Sequence, residues 1–126
     1  MTAFDYTINN KNSIAELIDN EIFYIKYVED TYSDVDDFKE GYASYLELTN
    51  RKPVKVLIEM CEHATISSEA REYAQANKIP AIAEALVLHS LGQRILINFY
   101  IKFRKQEHPI KIFKNFDYAL LWLKSI

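Results

Sequence analysis

The stretch that decides the fold is PVKVLIEMCEHATISSEAREYAQAN, residues 53–77. Its first part follows a proline-marked turn. The side chains there alternate between two faces as in a strand, with Val54 and Val56 on the same side. Its last part, SEAREYAQAN, spaces Ala70 and Tyr73 as one face of a helix does. A strand that leads directly into a helix is typical of α/β proteins with parallel strands.

The same pattern extends in both directions along the 126-residue chain. Apolar alternation predicts strands at residues 13–18, 21–28, 52–60, 81–89 and 109–113. Helical spacing predicts helices at residues 33–50, 68–77, 90–106 and 115–126. The order β-β-α-β-α-β-α-β-α predicts an α/β fold, a mixed sheet of about five strands covered by about four helices, in a single domain spanning residues 1–126.

Three helix starts are predicted from capping residues. Ser33 with Asp36 resembles a capping box, and Ser90 and Asn115 are suitable N-caps. Residues 90–106 are ambiguous, because ILINFYIKF is also rich in residues that favour strands. The cap at Ser90 and the recurrence of apolar residues every four positions favour the helix.

Composition excludes several classes of function. A net charge of −3 and a pI near 5.6 argue against a nucleic-acid binder. With only Gly41 and Gly92, the chain has no glycine-rich phosphate loop, and no cofactor is expected. Cys61 is the only cysteine, so no intrachain disulfide forms. The absence of a secretory signal and of an apolar run near 20 residues predicts a cytoplasmic protein without a membrane span.

Glu59, Cys61 and His63 alternate at the end of a predicted strand, which suggests a zinc site or a Cys-His nucleophile pair. Alternate side chains on a strand stand about 7 Å apart, too far for a direct hydrogen bond. We therefore expect a buried thiol beside a surface histidine. His89 and His108 are likewise expected to be structural or solvated. The sequence thus predicts no metal site, no catalytic residue and no enzyme.

Several strings resemble the STAS-like family, also called anti-sigma-factor-antagonist-like or SpoIIAA-like, and within it a group of small bacterial proteins of unassigned function. They are SSEAREYA, LGQRILINFYIKF, PIKIF and DYALLWL. The resemblance covers nearly the whole chain. It implies a regulatory domain that acts by protein–protein interaction. Because the wider superfamily includes lipid-binding domains, the alternative is a module for small molecules or lipids, with an apolar pocket lined by residues 90–106 and the C-terminal helix.

The resemblance also implies a phosphorylation switch. In signalling members of the family, an aspartate and then a phosphorylated serine follow the central strand. Ser68 occupies the phosphoacceptor position, and Ser67 occupies the aspartate position. Each serine is also a suitable helix cap, which explains them without a switch.

Most of the nine tyrosines, seven phenylalanines and one tryptophan are expected in the core, but Tyr100, Phe103 and Trp122 exceed what one small core buries. Aromatic residues that combine apolar area with a polar tip are typical of interfaces. The predicted surface for a protein partner or a homodimer comprises Ile97, Tyr100, Ile101, Phe103 and Trp122. The alternative is that these residues belong to the core.

Overall fold

The computed structural model describes residues 7–102 and 108–126. Its strands are β1 (Thr7–Asn9), β2 (Ser13–Ile18), β3 (Ile22–Tyr27), β4 (Tyr32–Ser33), β5 (Val54–Met60), β6 (Thr65–Ile66), β7 (Ala81–Leu88) and β8 (Ile110–Phe113). Its helices are α1 (Val35–Thr49), α2 (Ser68–Ala76), α3 (Leu91–Lys102) and α4 (Phe116–Lys124).

Six of these strands form one mixed sheet in the order β1-β2-β3-β5-β7-β8. The pairs β1–β2 and β2–β3 are antiparallel, whereas β3, β5, β7 and β8 run parallel. The predicted α/β fold with a mixed sheet is therefore confirmed. Since parallel strands share one direction, β3, β5 and β7 all end at the same edge, where α1, α2 and α3 begin. We call this the carboxyl edge.

The helices divide between the two faces of the sheet. In β5, Val56 packs in the cluster that α1 covers, whereas Leu57 packs with Leu123 of α4. Successive strand residues point to opposite faces, so α1 and α4 lie on opposite sides. Met60 shares the face of Val56 and packs with Ile97 of α3. With α2 in contact with α1, three helices cover one face and α4 covers the other.

The predicted start of α1 is wrong by one residue. Asp34, not Ser33, is the N-cap, and its capping box is completed by Asp37 rather than Asp36. Ser33 is instead held in β4, where it pairs with Ile66 of β6. Its side chain is fully buried, and its hydroxyl has no hydrogen-bond partner within residues 7–102 and 108–126. A long-range strand contact thus displaces the local capping preference by one position.

The other predicted turns and caps have the expected geometry. Asp19 and Asn20 adopt left-handed backbone conformations in the turn between β2 and β3. The hydroxyl of Ser90 accepts from the backbone of Gln93, and Asn115 caps α4. The short strands β1, β4 and β6 were not predicted, since two or three residues carry too little periodicity to detect.

Candidate functional site at the carboxyl edge

The turn between β5 and α2 is fixed to the neighbouring turn between β3 and α1. The backbone N–H of Asp30 donates to the carbonyl of Glu62, and the short strands β4 and β6 pair. His63 adopts a left-handed conformation with φ 63°. Its Nδ1 lies 3.0 Å from Oδ1 of Asp30, with both side chains exposed. The two loops therefore form one continuous surface.

Ser67 has a structural role within this surface. Its hydroxyl accepts from the backbone N–H of Ala70, which caps α2, and donates to Oδ1 of Asp34 at 2.7 Å. The bond from Ser67, and then the backbone N–H of Val35, hold the pKa of the Asp34 carboxyl below its usual range. Ser67 is buried, and its hydroxyl both donates and accepts a hydrogen bond. It is therefore poorly placed to accept a phosphate.

Ser68 differs from its neighbour. It is exposed, and its hydroxyl donates to the adjacent Glu69 at 3.1 Å. Of the two serines predicted as phosphoacceptors, Ser68 is therefore the accessible one. Phosphorylation at either serine stays a prediction.

Glu59, Cys61 and His63 are not brought together. Glu59 accepts from the hydroxyl of Tyr24 at 2.6 Å, and its other oxygen lies 2.8 Å from Nε2 of His89. Cys61 is buried, and this burial, reinforced by Glu59, raises the pKa of its thiol. His63 lies beyond the end of β5, where strand alternation no longer applies. A thiol whose pKa is raised stays protonated and is a weak nucleophile.

Tyr24, Glu59 and His89 form a hydrogen-bonded network that was not predicted. It lies on the sheet face that α4 partly covers, and Glu59 is only 12% exposed at its side chain. Burial, then the bond to Glu59, raises the pKa of Tyr24 well above its usual range. The phenol therefore stays a hydrogen-bond donor that fixes the carboxylate. Alternation along each strand indicates the faces on which Tyr24 and Glu59 lie. Their contact could be inferred only with the further knowledge that β3 and β5 are neighbours.

The predicted interface residues have different environments. Ile97 is buried, and Ile101 packs partly buried against the same cluster, so both contribute to the core. Trp122 is half-buried against Phe113, with a ring centroid distance of 5.7 Å. The side chain of Tyr100 and the whole of Phe103 lie outside the described residues.

The exposed apolar residues of α3 were missed as a surface. Leu91 and Ile95 are 64% and 61% exposed. Between them, Gln93 is buried and donates to the carbonyls of Cys61 and Ala64, at 2.9 Å in each case. The start of α3 is therefore attached directly to the turn that precedes α2.

Acidic side chains dominate the exposed rim of this edge. The exposed carboxylates of its two joined loops and helix starts are those of Glu29, Asp30, Asp34, Asp36, Glu62 and Glu69. Tyr32 of β4 is 64% exposed among them. The arrangement combines a few large apolar side chains with a negative rim.

Two adjoining cavities, of about 110 and 100 Å³, lie between the sheet and α1, α2 and α3. Glu84 lies in the wall of both, and its carboxylate is 3.1 Å from Nε2 of His108. The predicted apolar pocket between residues 90–106 and the C-terminal helix requires a correction. Ile97 and Ile101 of α3 do line the second cavity, but α4 packs on the opposite face of the sheet.

The family is identified by sequence. The model of a family described as "Domain of unknown function (DUF7793)" matches residues 17–126. The chain belongs to this family. No functionally curated protein has a significantly similar sequence.

The fold of this DUF7793 domain is similar to that of a known crystal structure. That structure is an uncharacterized protein of the DUF3478 family with a SpoIIAA-like fold, from Shewanella loihica PV-4. The TM-score is 0.60 at 15% identity, over 94% of this chain and 90% of the other. The predicted STAS-like, or SpoIIAA-like, fold is thereby confirmed.

Two further observations apply to residues 7–102 and 108–126 of this family member. No helix there combines the length and the apolar character needed to cross a bilayer. No three side chains of His, Cys, Asp or Glu are grouped so that they could bind a metal ion.

Proposed function

We propose that the protein is a non-enzymatic regulatory domain that binds a protein partner through its carboxyl edge. The observation that carries this proposal is the exposure of Leu91 and Ile95, one helical turn apart, beside the turn before α2. Interfaces of this type combine a small apolar centre with a polar rim. The SpoIIAA-like fold supports the proposal by analogy with signalling members of the STAS-like family.

Side-chain hydrogen bonds hold the parts of this surface together. Gln93 joins α3 to the turn through two hydrogen bonds, and Ser67 joins that turn to Asp34. A pre-organised surface binds with a smaller loss of conformational entropy than a mobile loop does.

The charge of the rim defines the class of partner. The exposed carboxylates produce a negative potential, which attracts a protein with a basic surface and repels an acidic one. Salt screens interactions between exposed charges that lie farther apart than the Debye length, which is about 8 Å at physiological salt and shortens as the salt concentration rises. Partner binding should therefore weaken as the salt concentration rises.

A quantitative pull-down from the source organism tests this proposal. The wild type is compared with the double variant Leu91→Ser/Ile95→Ser and with the control Tyr118→Ser/Leu121→Ser. The control pair on α4 is equally exposed, at 67% and 68%. The expected result is a basic protein that binds the wild type and the control, that is lost from the α3 variant, and that elutes as salt rises from about 0.05 to 0.5 M.

Three outcomes would contradict the proposal. They are the absence of any specifically bound protein, equal binding by the α3 variant, and equal loss from both double variants. Circular dichroism of each variant checks that it is folded, so that a loss of partner binding is not due to unfolding.

We further propose that phosphorylation of Ser68 regulates this surface. A phosphate there adds negative charge at the start of α2, next to Glu69. Incubation with kinases of the source organism, followed by mass spectrometry, should locate phosphate on Ser68 and not on Ser67. Failure to modify either serine would count against the switch.

A homodimer is a separate prediction. Two acidic edges repel each other, so self-association would need another surface, such as the one predicted around Tyr100. Light scattering of the wild type and of Tyr100→Glu tests it. A wild type that stays monomeric at high concentration excludes the homodimer.

A further inference from the structure

Tyr27 lies in the wall of both cavities, and its hydroxyl has no hydrogen-bond partner in the described part of the chain. The residue is only 6% exposed. A polar group that is buried without a partner is costly, so nearly all such groups pair with protein, water or a ligand. Among the described residues only the hydroxyl of Ser33 is completely buried without a partner, whereas the hydroxyl of Tyr27 borders the cavities and is the one that a molecule inside them can reach.

We propose that the cavities form a binding site for a small, neutral aromatic molecule that carries one hydroxyl group. This site is independent of the proposed partner surface, since it lies under the helices and not at the exposed carboxyl edge. The ligand would place its hydroxyl against Tyr27 and its ring among the apolar walls.

The size and shape of the cavities fit such a molecule. The two spaces adjoin, and five residues line both of them: Tyr27, Phe38, Ile58, Ala74 and Glu84. An apolar cavity of about 150 Å³ is large enough to take up benzene. Lys78, which is exposed, also lines the first cavity, so this space reaches the surface near the end of α2.

Gly41 makes room for the hydroxyl. A Cβ atom at this position of α1 would lie 3.2 Å from the oxygen of Tyr27 and 3.0 Å from Cδ1 of Ile25. At Gly41 the helix therefore passes close to the hydroxyl without a side chain of its own in that space. The ring of Tyr27 is itself held by stacking on Phe38, with ring centroids 5.3 Å apart.

The walls define the chemistry of the ligand. Aromatic and aliphatic side chains dominate them, including Phe23, Tyr42, Ile58 and Leu86. A charged ligand would lose its hydration without adequate compensation here, which favours a neutral one. Burial, and then Asp37, raise the pKa of Tyr27, so its hydroxyl keeps its proton and both donates and accepts.

Two probes of nearly identical shape, p-cresol and p-xylene, test the role of Tyr27. NMR titrations of the wild type and of Tyr27→Phe give the four Kd values of a double-mutant cycle. In Tyr27→Phe, p-cresol should bind about three- to tenfold more weakly, because one hydrogen bond is lost, whereas the Kd of p-xylene should hardly change. Equal losses for both probes, or none for either, would overturn the proposal.

A matched pair of substitutions on α2 tests the location. Ala74 lines both cavities, whereas Ala76 is exposed on the same helix. Ala74→Leu fills the space and should abolish binding of both probes, and Ala76→Leu should leave both Kd values unchanged. Binding that survives Ala74→Leu would mean that the probes lie elsewhere, and a wild type that binds neither probe would mean that water alone occupies the cavities.

Discussion

The hydroxyl of Ser67 donates to the carboxylate of Asp34 at 2.7 Å, and each of these residues is the N-cap of a helix. The starts of α1 and α2 are thus joined by one side-chain contact between residues 33 positions apart. Because both loops lie at the carboxyl edge, this contact fixes the relative positions of Tyr32 and of the turn around His63. The proposed partner surface depends on it.

Replacement of Ser67 by alanine should destabilise the protein by about 1–2 kcal/mol. The change removes the cap of α2 and leaves Asp34 without one of its donors. Urea unfolding of the wild type, Ser67→Ala and Ser68→Ala measures the difference. Ser68→Ala is the matched control and should stay within about 0.5 kcal/mol of the wild type, since Ser68 is exposed. Equal effects of the two substitutions would rule out the assigned cap.

The Asp34 carboxyl should titrate below the usual range of aspartate. Its pKa is lowered first by the bond from Ser67 and then by the N–H of Val35. A pKa that is lower in the folded state stabilises the fold above the unfolded pKa, and this contribution is lost as pH falls through the folded value. Carboxyl NMR titration should therefore give a higher pKa for Asp34 in Ser67→Ala than in the wild type. An unchanged pKa would show that the Ser67 bond is absent in solution.

The order of the main elements could be predicted because each carries a periodic signal of its own. In β5, alternation indicates which residues share a face, and Val56 and Leu57 do pack on opposite sides. The caps Ser90 and Asn115 act within three residues, so they too are visible locally. The resemblance to the STAS-like family agreed with this order of elements, but the order of strands within the sheet was not predicted, because periodicity alone does not determine it.

What could not be predicted depends on contacts between distant residues. Ser33 has the side chain of a typical N-cap. It does not cap α1, because it pairs with Ile66 in the two-stranded sheet of β4 and β6. The spacing suggested a group of Glu59, Cys61 and His63, which was judged improbable, but it gave no indication that Glu59 contacts His89, 30 positions away and just after the end of β7. Such contacts follow from strand order, which becomes known only when the sheet is assembled.

Leu123 and Leu121 of α4 provide a test of the face on which α4 packs. Leu123 is fully buried against the sheet, whereas Leu121 is 68% exposed. Leu123→Ala should cost about 2–5 kcal/mol through lost burial and a cavity. Leu121→Ala should change the free energy of unfolding by less than about 0.5 kcal/mol. Urea unfolding measures both, and similar costs would contradict the orientation of α4.

The two glycines should respond oppositely to replacement by alanine. Both lie in helices without positive φ, where alanine removes backbone freedom from the unfolded chain and favours the folded state. At Gly92 the nearest atom to a new Cβ is 4.0 Å away, so Gly92→Ala should stabilise the protein by about 0.5 kcal/mol.

At Gly41 the new methyl group would meet Ile25 at 3.0 Å and the hydroxyl of Tyr27 at 3.2 Å. Overpacking of a core costs about 1–3 kcal/mol, which exceeds the backbone gain, so Gly41→Ala should be net destabilising by about 1 kcal/mol. The double variant Gly41→Ala/Tyr27→Phe separates the two contacts. If the hydroxyl is the principal obstacle, its removal should recover most of the loss in urea unfolding. If Gly41→Ala instead stabilised the protein, α1 would have to lie farther from Tyr27 than the 3.2 Å contact implies.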